Sequence, residues 1–140
     1  MNKPFEQILQ DIVKNNYNHN LLDAATYSDI SMFEQVNNIR LPRDYTKFLY
    51  LADGADLYLP AGVQLFGVSH KPTIDILCED RPNDEYIVIG YLSNGDPVLF
   101  KKDNKEISIY NIKDNTIEDD ETYKDFSSFL ADLENILGLE

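Results

Sequence analysis

The side chains best suited to bind a metal or act as a nucleophile are few and scattered. The soft metal ligands are Cys78, His19 and His70, and the two histidines lack the i, i+4 spacing that would place them on one face of a helix. We expect both histidines in exposed loops. Glu79 and Asp80 follow Cys78, and their negative charges disfavour the thiolate that nucleophilic catalysis needs. The sequence therefore predicts a structural cysteine and no catalytic, metal-binding or cofactor-binding residue.

Carboxylates are the other reactive groups, and many of them lie in two runs. The candidate partner-binding residues in these runs are Glu79, Asp80, Asp84, Glu85, Glu118, Asp119, Asp120 and Glu121. The second run has the charge of a calcium loop but lacks its central glycine. Among 25 acidic residues, pairs that resemble general acid–base catalysts occur by chance. Either run is a solvated acidic loop in the simpler interpretation, and a surface that attracts a positively charged partner in the alternative.

Net charge excludes one class of partner. The 140 residues include 12 basic and 25 acidic side chains, for a net charge of −13. Residues 1–50 carry −1 (5 basic, 6 acidic), residues 51–100 carry −6 (2 and 8), and residues 101–140 carry −6 (5 and 11). Such a field repels nucleic acid phosphates and attracts a basic protein surface. Solubility alone is the simpler explanation of the acidity.

Length and cysteine content indicate the class of protein. We expect residues 1–140 to form one domain, because the length is ordinary for one and 43% of the residues are hydrophobic. The chain has no apolar run long enough to cross a membrane, and its first residues lack the features of a signal peptide. The single cysteine cannot form an internal disulfide, which favours the cytoplasm.

Apolar periodicity predicts four helices. The first covers residues 4–15 and is followed by an asparagine-rich loop over 15–20 and a short turn over 21–25. Asp29 or Ser31 caps a second helix that ends near Val36. A third begins with Pro42 in its first turn and stops at Gly54, and a fourth covers residues 126–137.

The middle of the chain has the period of strands. Residues 57–60 and 63–67 are short strands or extended loop, and 69–85 is an irregular connection with one helical turn around Ile74–Cys78. Four strands follow, over 86–92, 97–100, 107–112 and about 116–119, with a hairpin turn at Asn94-Gly95. This predicts an α+β fold in which an antiparallel β-meander is flanked by the N-terminal helices and the C-terminal helix. The run 118–121 is then expected between the last strand and that helix, where it also suits the helix N-terminus.

Several short motifs recur in a fixed order. After a helix over about 30–34 come Leu41-Pro42-x-x-Tyr45-x-x-Phe48-Leu49, Asp53-Gly54, Leu65-Phe66-Gly67, Ile87-x-Ile89-Gly90, Gly95-Asp96-Pro97-Val98, Ile109-Tyr110 and Phe126-x-x-Phe129-Leu130. Each is common alone, but their order over residues 28–137 resembles the SUKH superfamily, the yeast cell-wall-regulator-like domain common in bacteria. Asp53 stands where the family often has asparagine, and aspartate suits the same local role.

The resemblance implies a non-enzymatic binding protein. Bacterial members of the family resemble immunity proteins that are encoded beside polymorphic toxins and cover the toxin's active site, often that of a nuclease. Under this interpretation, the acidic runs imitate phosphates in a basic groove, and the partner is a toxin domain with a basic surface. The alternatives are a regulatory interaction domain with another partner and, third, a hydrolase with an unrecognised site. Partner identity, binding surface and oligomeric state stay open.

Tyrosines are the candidate aromatic anchors of such an interface, since interfaces favour this residue. The candidates are Tyr17, Tyr58, Tyr86 and Tyr91. The alternative for a tyrosine in a strand is a place in the core or on a face of the sheet.

Overall fold

One antiparallel sheet organises the molecule. The computed structural model describes residues 5–14, 18–59 and 62–138. Within these residues seven strands pair in the order in which they follow one another along the chain, and every neighbouring pair is antiparallel. The strands are β1 (Asn18–Leu21), β2 (Ala55–Leu59), β3 (Val63–Leu65), β4 (Tyr86–Leu92), β5 (Pro97–Lys101), β6 (Ile107–Asn111) and β7 (Thr116–Tyr123). The predicted meander is confirmed as β4 to β7, and three earlier strands extend it.

The helices precede, interrupt and follow this sheet. They are α1 (Phe5–Lys14), α2 (Tyr27–Asn37), α3 (Arg43–Leu49), α4 (Phe126–Ala131) and α5 (Leu133–Ile136). The predicted α+β class is therefore confirmed. The predicted ends of the first helix, residues 4 and 15, lie outside the described residues.

The asparagine-rich stretch is not entirely the loop that its composition predicts. Residues 15–17 lie outside the described residues, but the next four form β1, an edge strand paired with β2. An edge strand tolerates polar residues because one of its long sides faces solvent and its backbone bonds come from a single neighbour. The short turn predicted over 21–25 is absent, since residues 22–26 are irregular.

The predicted start of α2 and the predicted end of α3 both need correction. α2 begins earlier than Asp29 because Thr26 is its N-cap, and Asp29 completes a capping box by accepting the Thr26 N–H at 3.0 Å. α3 ends at Leu49, so Gly54 is not its stop. Gly54 instead takes φ +105° just before β2, a conformation that glycine adopts without steric cost.

The apolar stripe of the C-terminal segment packs on the sheet as predicted, but it is divided between α4 and α5. Asp125 caps α4 by accepting the Ser128 N–H at 2.8 Å, and the break lies at Asp132. Phe126 is fully buried, with its ring edge-on to that of Tyr45 at a centroid distance of 4.7 Å. The helical face of the sheet therefore holds the main core.

The opposite face of the sheet carries a smaller apolar cluster of Val88, Leu99 and Tyr110. Phe66 precedes the irregular connection before β4, and Cys78 lies within that connection. Both side chains pack against the smaller apolar cluster. The prediction of an irregular connection over 69–85 is confirmed, but in place of the predicted helical turn around Ile74–Cys78 there is a non-helical turn, closed by the Cys78 N–H on the Asp75 carbonyl at 3.1 Å. This connection therefore covers part of the face that the helices leave free.

Candidate protein-binding surface

The second acidic run forms a bulge in β7, the edge strand of the sheet. Ile117 and Thr122 both pair with β6, and only Ile109 separates their two partners along that strand. Four residues of β7, 118–121, therefore lie opposite one residue of β6. A bulge leaves the extra residues without ladder partners and turns them away from the sheet. The structure thus presents four consecutive carboxylates at an open sheet edge.

The predicted position of this run, between the last strand and the following helix, is wrong. β7 continues to Tyr123, whose ring packs edge-on against Phe129 at a centroid distance of 5.8 Å. The Tyr123 hydroxyl also donates to an Asp132 carboxylate oxygen at 3.0 Å. These contacts hold the end of the strand in register, and Asp125 caps α4, so the run does not serve the helix N-terminus.

A fifth carboxylate, in another turn, lies near enough to act on Glu121 electrostatically. Partial burial raises the pKa of Glu121, and the neighbouring charges of Asp120, Asp96 and Glu118 raise it further. Asp96 lies in the turn between β4 and β5, and no local pattern in the sequence predicts that its charge acts on β7. We call Asp96 with residues 118–121 the acidic edge.

Replacing Glu121 with glutamine should stabilise the protein near neutral pH by a few tenths of a kcal/mol, the scale of partly exposed charge interactions. A raised pKa means that the folded state binds the proton more tightly than the unfolded chain. Stability is therefore lost as pH rises from the unfolded to the folded pKa, and the advantage of the variant should vanish below that window. Urea unfolding at several pH values measures the difference in stability between the variant and the parent protein. Asp103→Asn, at an exposed turn, is the control, and an equal, pH-independent gain in both variants would contradict the prediction.

The first acidic run is only partly free. The half-buried Asp80 accepts a hydrogen bond from the Tyr91 hydroxyl at 2.6 Å, and the same hydroxyl lies 3.4 Å from the Cys78 sulfur. Burial, then the Asp80 hydrogen bond, raises the pKa of Tyr91. Cys78 is thus the half-buried structural cysteine that the sequence predicts. The exposed members of the run are Glu79, Asp84 and Glu85.

The two acidic runs do not form one patch. Glu85 adjoins β4, whereas the bulge lies on β7, with β5 and β6 between them. Three strand spacings amount to about 14 Å. A partner that contacts both runs must therefore reach across the sheet, and the binding role of either run stays a prediction.

The most buried polar group was not among the predicted site residues. Asp53 is fully buried, and its carboxylate accepts the backbone N–H groups of Val68, Ser69 and His70 at 2.7, 2.9 and 2.6 Å. The His70 ring nitrogen Nδ1 lies 2.9 Å from the same carboxylate. Four partners compensate the burial of this charge and tie the turn before β2 to the loop after β3. The aspartate before Gly54 was a visible signal, but its partners lie at least 15 residues further along the chain.

An aspartate–histidine pair also orients the imidazole in nucleophilic triads. In the described part of the chain, however, no serine, threonine or cysteine side chain bonds to His70. The geometry is that of a clamp on the loop. His70 lies in an exposed loop as predicted, since its side chain is 43% exposed.

His19 does not lie in an exposed loop as predicted. It belongs to β1 and is half-buried, and its Nδ1 accepts the Tyr58 N–H at 3.0 Å. Burial lowers the pKa of His19. Its ring meets that of Tyr58 edge-on at 5.0 Å, so this histidine helps to join β1 to β2.

The tyrosine candidates have different environments. Tyr17 lies outside the described residues. Tyr58 is buried, which fits the structural interpretation, while Tyr86 and Tyr91 are half-buried against the smaller apolar cluster. Among the tyrosines of the described residues, Tyr27 is the most exposed, with 72% of its surface accessible.

Two features are absent from residues 5–14, 18–59 and 62–138. No group of three or more histidine, cysteine or acidic side chains there is arranged to hold a metal ion. Among the helices so described, none has the length and apolar character needed to cross a membrane.

The meander, its flanking helices and the motif order define a class of protein. The chain belongs to the SMI1/KNR4 family (SUKH-1), whose family model matches residues 24–132. The resemblance drawn from the motifs is thereby confirmed.

A curated relative is similar to part of the chain. It is the uncharacterized protein YobM of Bacillus subtilis (strain 168), 33% identical over 90 residues, which cover 58% of this chain and 48% of the relative. The chain thus matches about half the length of that protein.

Proposed function

We propose that this protein is an immunity protein that binds a cognate polymorphic toxin and covers its active site. The observation that carries the proposal is the acidic edge, on a domain of the SMI1/KNR4 family. Four carboxylates on a bulged strand edge are accessible to a partner in a way that carboxylates within a regular sheet are not. The expected cytoplasmic location, where a toxin would act on the producing cell, belongs to the same proposal.

Electrostatics indicates the chemistry of the partner. Burial contributes most to the raised pKa of Glu121, and the charges of Asp120, Asp96 and Glu118 raise it further, so these carboxylates repel one another. A cationic surface would relieve that repulsion, and complementary charge accelerates encounter and selects among partners. A nuclease active site, which is basic because it binds phosphates, fits this surface best.

The protein itself has no catalytic role in this proposal. The Asp53 carboxylate is occupied by its four partners. Among the described residues, no nucleophilic side chain is hydrogen-bonded to His70. A regulatory interaction domain with a non-toxin partner is the alternative function, as the family includes relatives of cell-wall regulators.

The test begins with a pulldown from the native cell and identification of the captured partner by mass spectrometry. A toxin domain whose activity disappears on addition of this protein would support immunity. Regulatory or cell-wall proteins would support the alternative, and a toxin that stays active when bound would contradict active-site covering.

Charge reversal then tests the acidic edge. Changing residues 118–121 to lysine should slow toxin association by roughly tenfold or more at low salt and flatten its salt dependence, because long-range attraction sets the encounter rate. The control variant reverses Glu79, Asp84 and Glu85, which are also exposed. Stopped-flow association at several salt concentrations measures both. An unchanged rate in the first variant would remove the acidic edge from the interface, and a slowed control would assign the first run instead.

A further inference from the structure

A groove between α2 and α3 differs from the acidic edge in having two arginines in its lining. It has a volume of about 330 Å³, and buried Ile30 and Leu41 belong to its lining. A second depression of about 510 Å³ adjoins it, because both are lined by Tyr27, Glu34 and Arg40. The two together form one continuous surface groove along α2.

The carboxylates around this groove are already engaged by the fold. Asp29 closes the capping box at the start of α2. Glu34 accepts the Leu41 N–H at 2.8 Å, and Asp44 accepts the Ser127 N–H at 2.7 Å. Each of these acidic groups keeps its charge while it accepts from a backbone N–H, and in the described structure none forms an ion pair with a neighbouring arginine.

Arg40 and Arg43 line the groove, and both are exposed. Neither forms an ion pair or a side-chain hydrogen bond in the described structure. Burial and then the charge of Arg40 lower the pKa of Lys105, from the turn between β5 and β6, while Asp103 and Glu34 raise it. Arg40 and Arg43 are therefore the cations that the groove itself offers to a partner.

Aromatic side chains lie beside the arginines. Tyr27 is 72% exposed and Tyr50 is 43% exposed, and both line the groove. Tyrosine and arginine are the residue types that most often dominate binding energy at protein interfaces. Guanidinium groups also bind carboxylates in a bidentate geometry that ammonium groups cannot match.

We propose that the α2–α3 groove binds an acidic segment of a partner protein. Carboxylates of the segment bind Arg40 and Arg43, and an apolar side chain between them contacts Tyr27 and Tyr50. Charge complementarity favours this occupant. The proposal does not depend on a toxin partner, since it concerns a different surface and the opposite charge.

The experiment is an NMR titration of the isotope-labelled full chain with a defined probe. The probe is a short peptide in which aspartates and glutamates flank a leucine–phenylalanine pair, and its counterpart has lysines at the acidic positions. The acidic peptide should shift the amide signals of Tyr27, Ser31, Arg40 and Tyr50 in a saturable way. The lysine peptide should leave them unchanged.

Two double variants separate a specific site from general charge. R40E/R43E should weaken binding of the acidic peptide by roughly tenfold or more, because it reverses both cations. K113E/K124E makes the same change in net charge at exposed positions elsewhere and should bind like the parent.

Three results would overturn the proposal. One is an acidic peptide that leaves the groove signals unmoved, and another is equal weakening in both double variants. The third is concentration-dependent shifts of the groove signals without peptide, which would assign the groove to a second copy.

Discussion

Replacing Asp53 with alanine is expected to lower the free energy of unfolding by about 3–5 kcal/mol, because it removes several hydrogen bonds to a charged group, each of which contributes roughly 1.5–3 kcal/mol. The change leaves three backbone N–H groups, of Val68, Ser69 and His70, without their acceptor in a loop that the fold partly buries. Unpaired buried donors retain their full desolvation penalty. Chemical denaturation followed by circular dichroism measures the loss, with a decrease in the midpoint and little change in slope.

Two variants calibrate this result. Asp53→Asn keeps an oxygen acceptor but loses the charge and one oxygen, so its loss should be intermediate. Asp103→Ala removes an exposed carboxylate and should change stability by less than about 0.5 kcal/mol. An Asp53→Ala protein as stable as Asp103→Ala would show that the clamp contributes nothing to folding.

Replacing Gly67 with alanine is expected to destabilise the protein by about 3 kcal/mol or more, at the upper end of overpacking costs. A Cβ there would lie 2.2 Å from the Asp53 carbonyl oxygen and 2.5 Å from its carboxylate oxygen Oδ1. The obstacle includes backbone and a hydrogen-bonded carboxylate, so neither can move without breaking the clamp. Thermal and urea unfolding of the variant measure the effect.

The matched control is Gly95→Ala in the β4–β5 turn. A Cβ at Gly95 would meet no atom within 4 Å, but its φ of +94° disfavours alanine. We expect a loss of about 1 kcal/mol, from backbone strain alone. Equal losses at the two glycines would mean that close approach to Asp53 is not what requires glycine at position 67.

Local periodicity explains the parts of the fold that sequence could predict. The apolar spacing in α1 and in the C-terminal segment follows from which side chains must face the core, so their existence and buried faces were predictable. The four-stranded meander was equally visible, because Asn94-Gly95 and the alternating apolar residues are short-range signals. The SUKH family followed from the order of such local motifs, and the family match confirms it.

Features that depend on distant partners were missed or misplaced. β1 is polar and forms because β2 supplies its hydrogen bonds. The sequence places the acidic run 118–121 between a strand that ends near Asp119 and the C-terminal helix, whereas Tyr123 extends β7 beyond the run through contacts with Phe129 and Asp132. Nothing local signals a bulge whose size is set by register against β6.

By itself, the sequence determined the α+β class, the family and the acidic character, because periodicity, motif order and charge can be counted along the chain. Only the tertiary structure decided how the charges are distributed. It separates the two acidic runs by two strands, buries Asp53 beneath a loop, and leaves Arg40 and Arg43 unpaired beside a groove. Burial and pairing of a charge depend on groups far away in sequence, and those groups meet only when the sheet and helices pack.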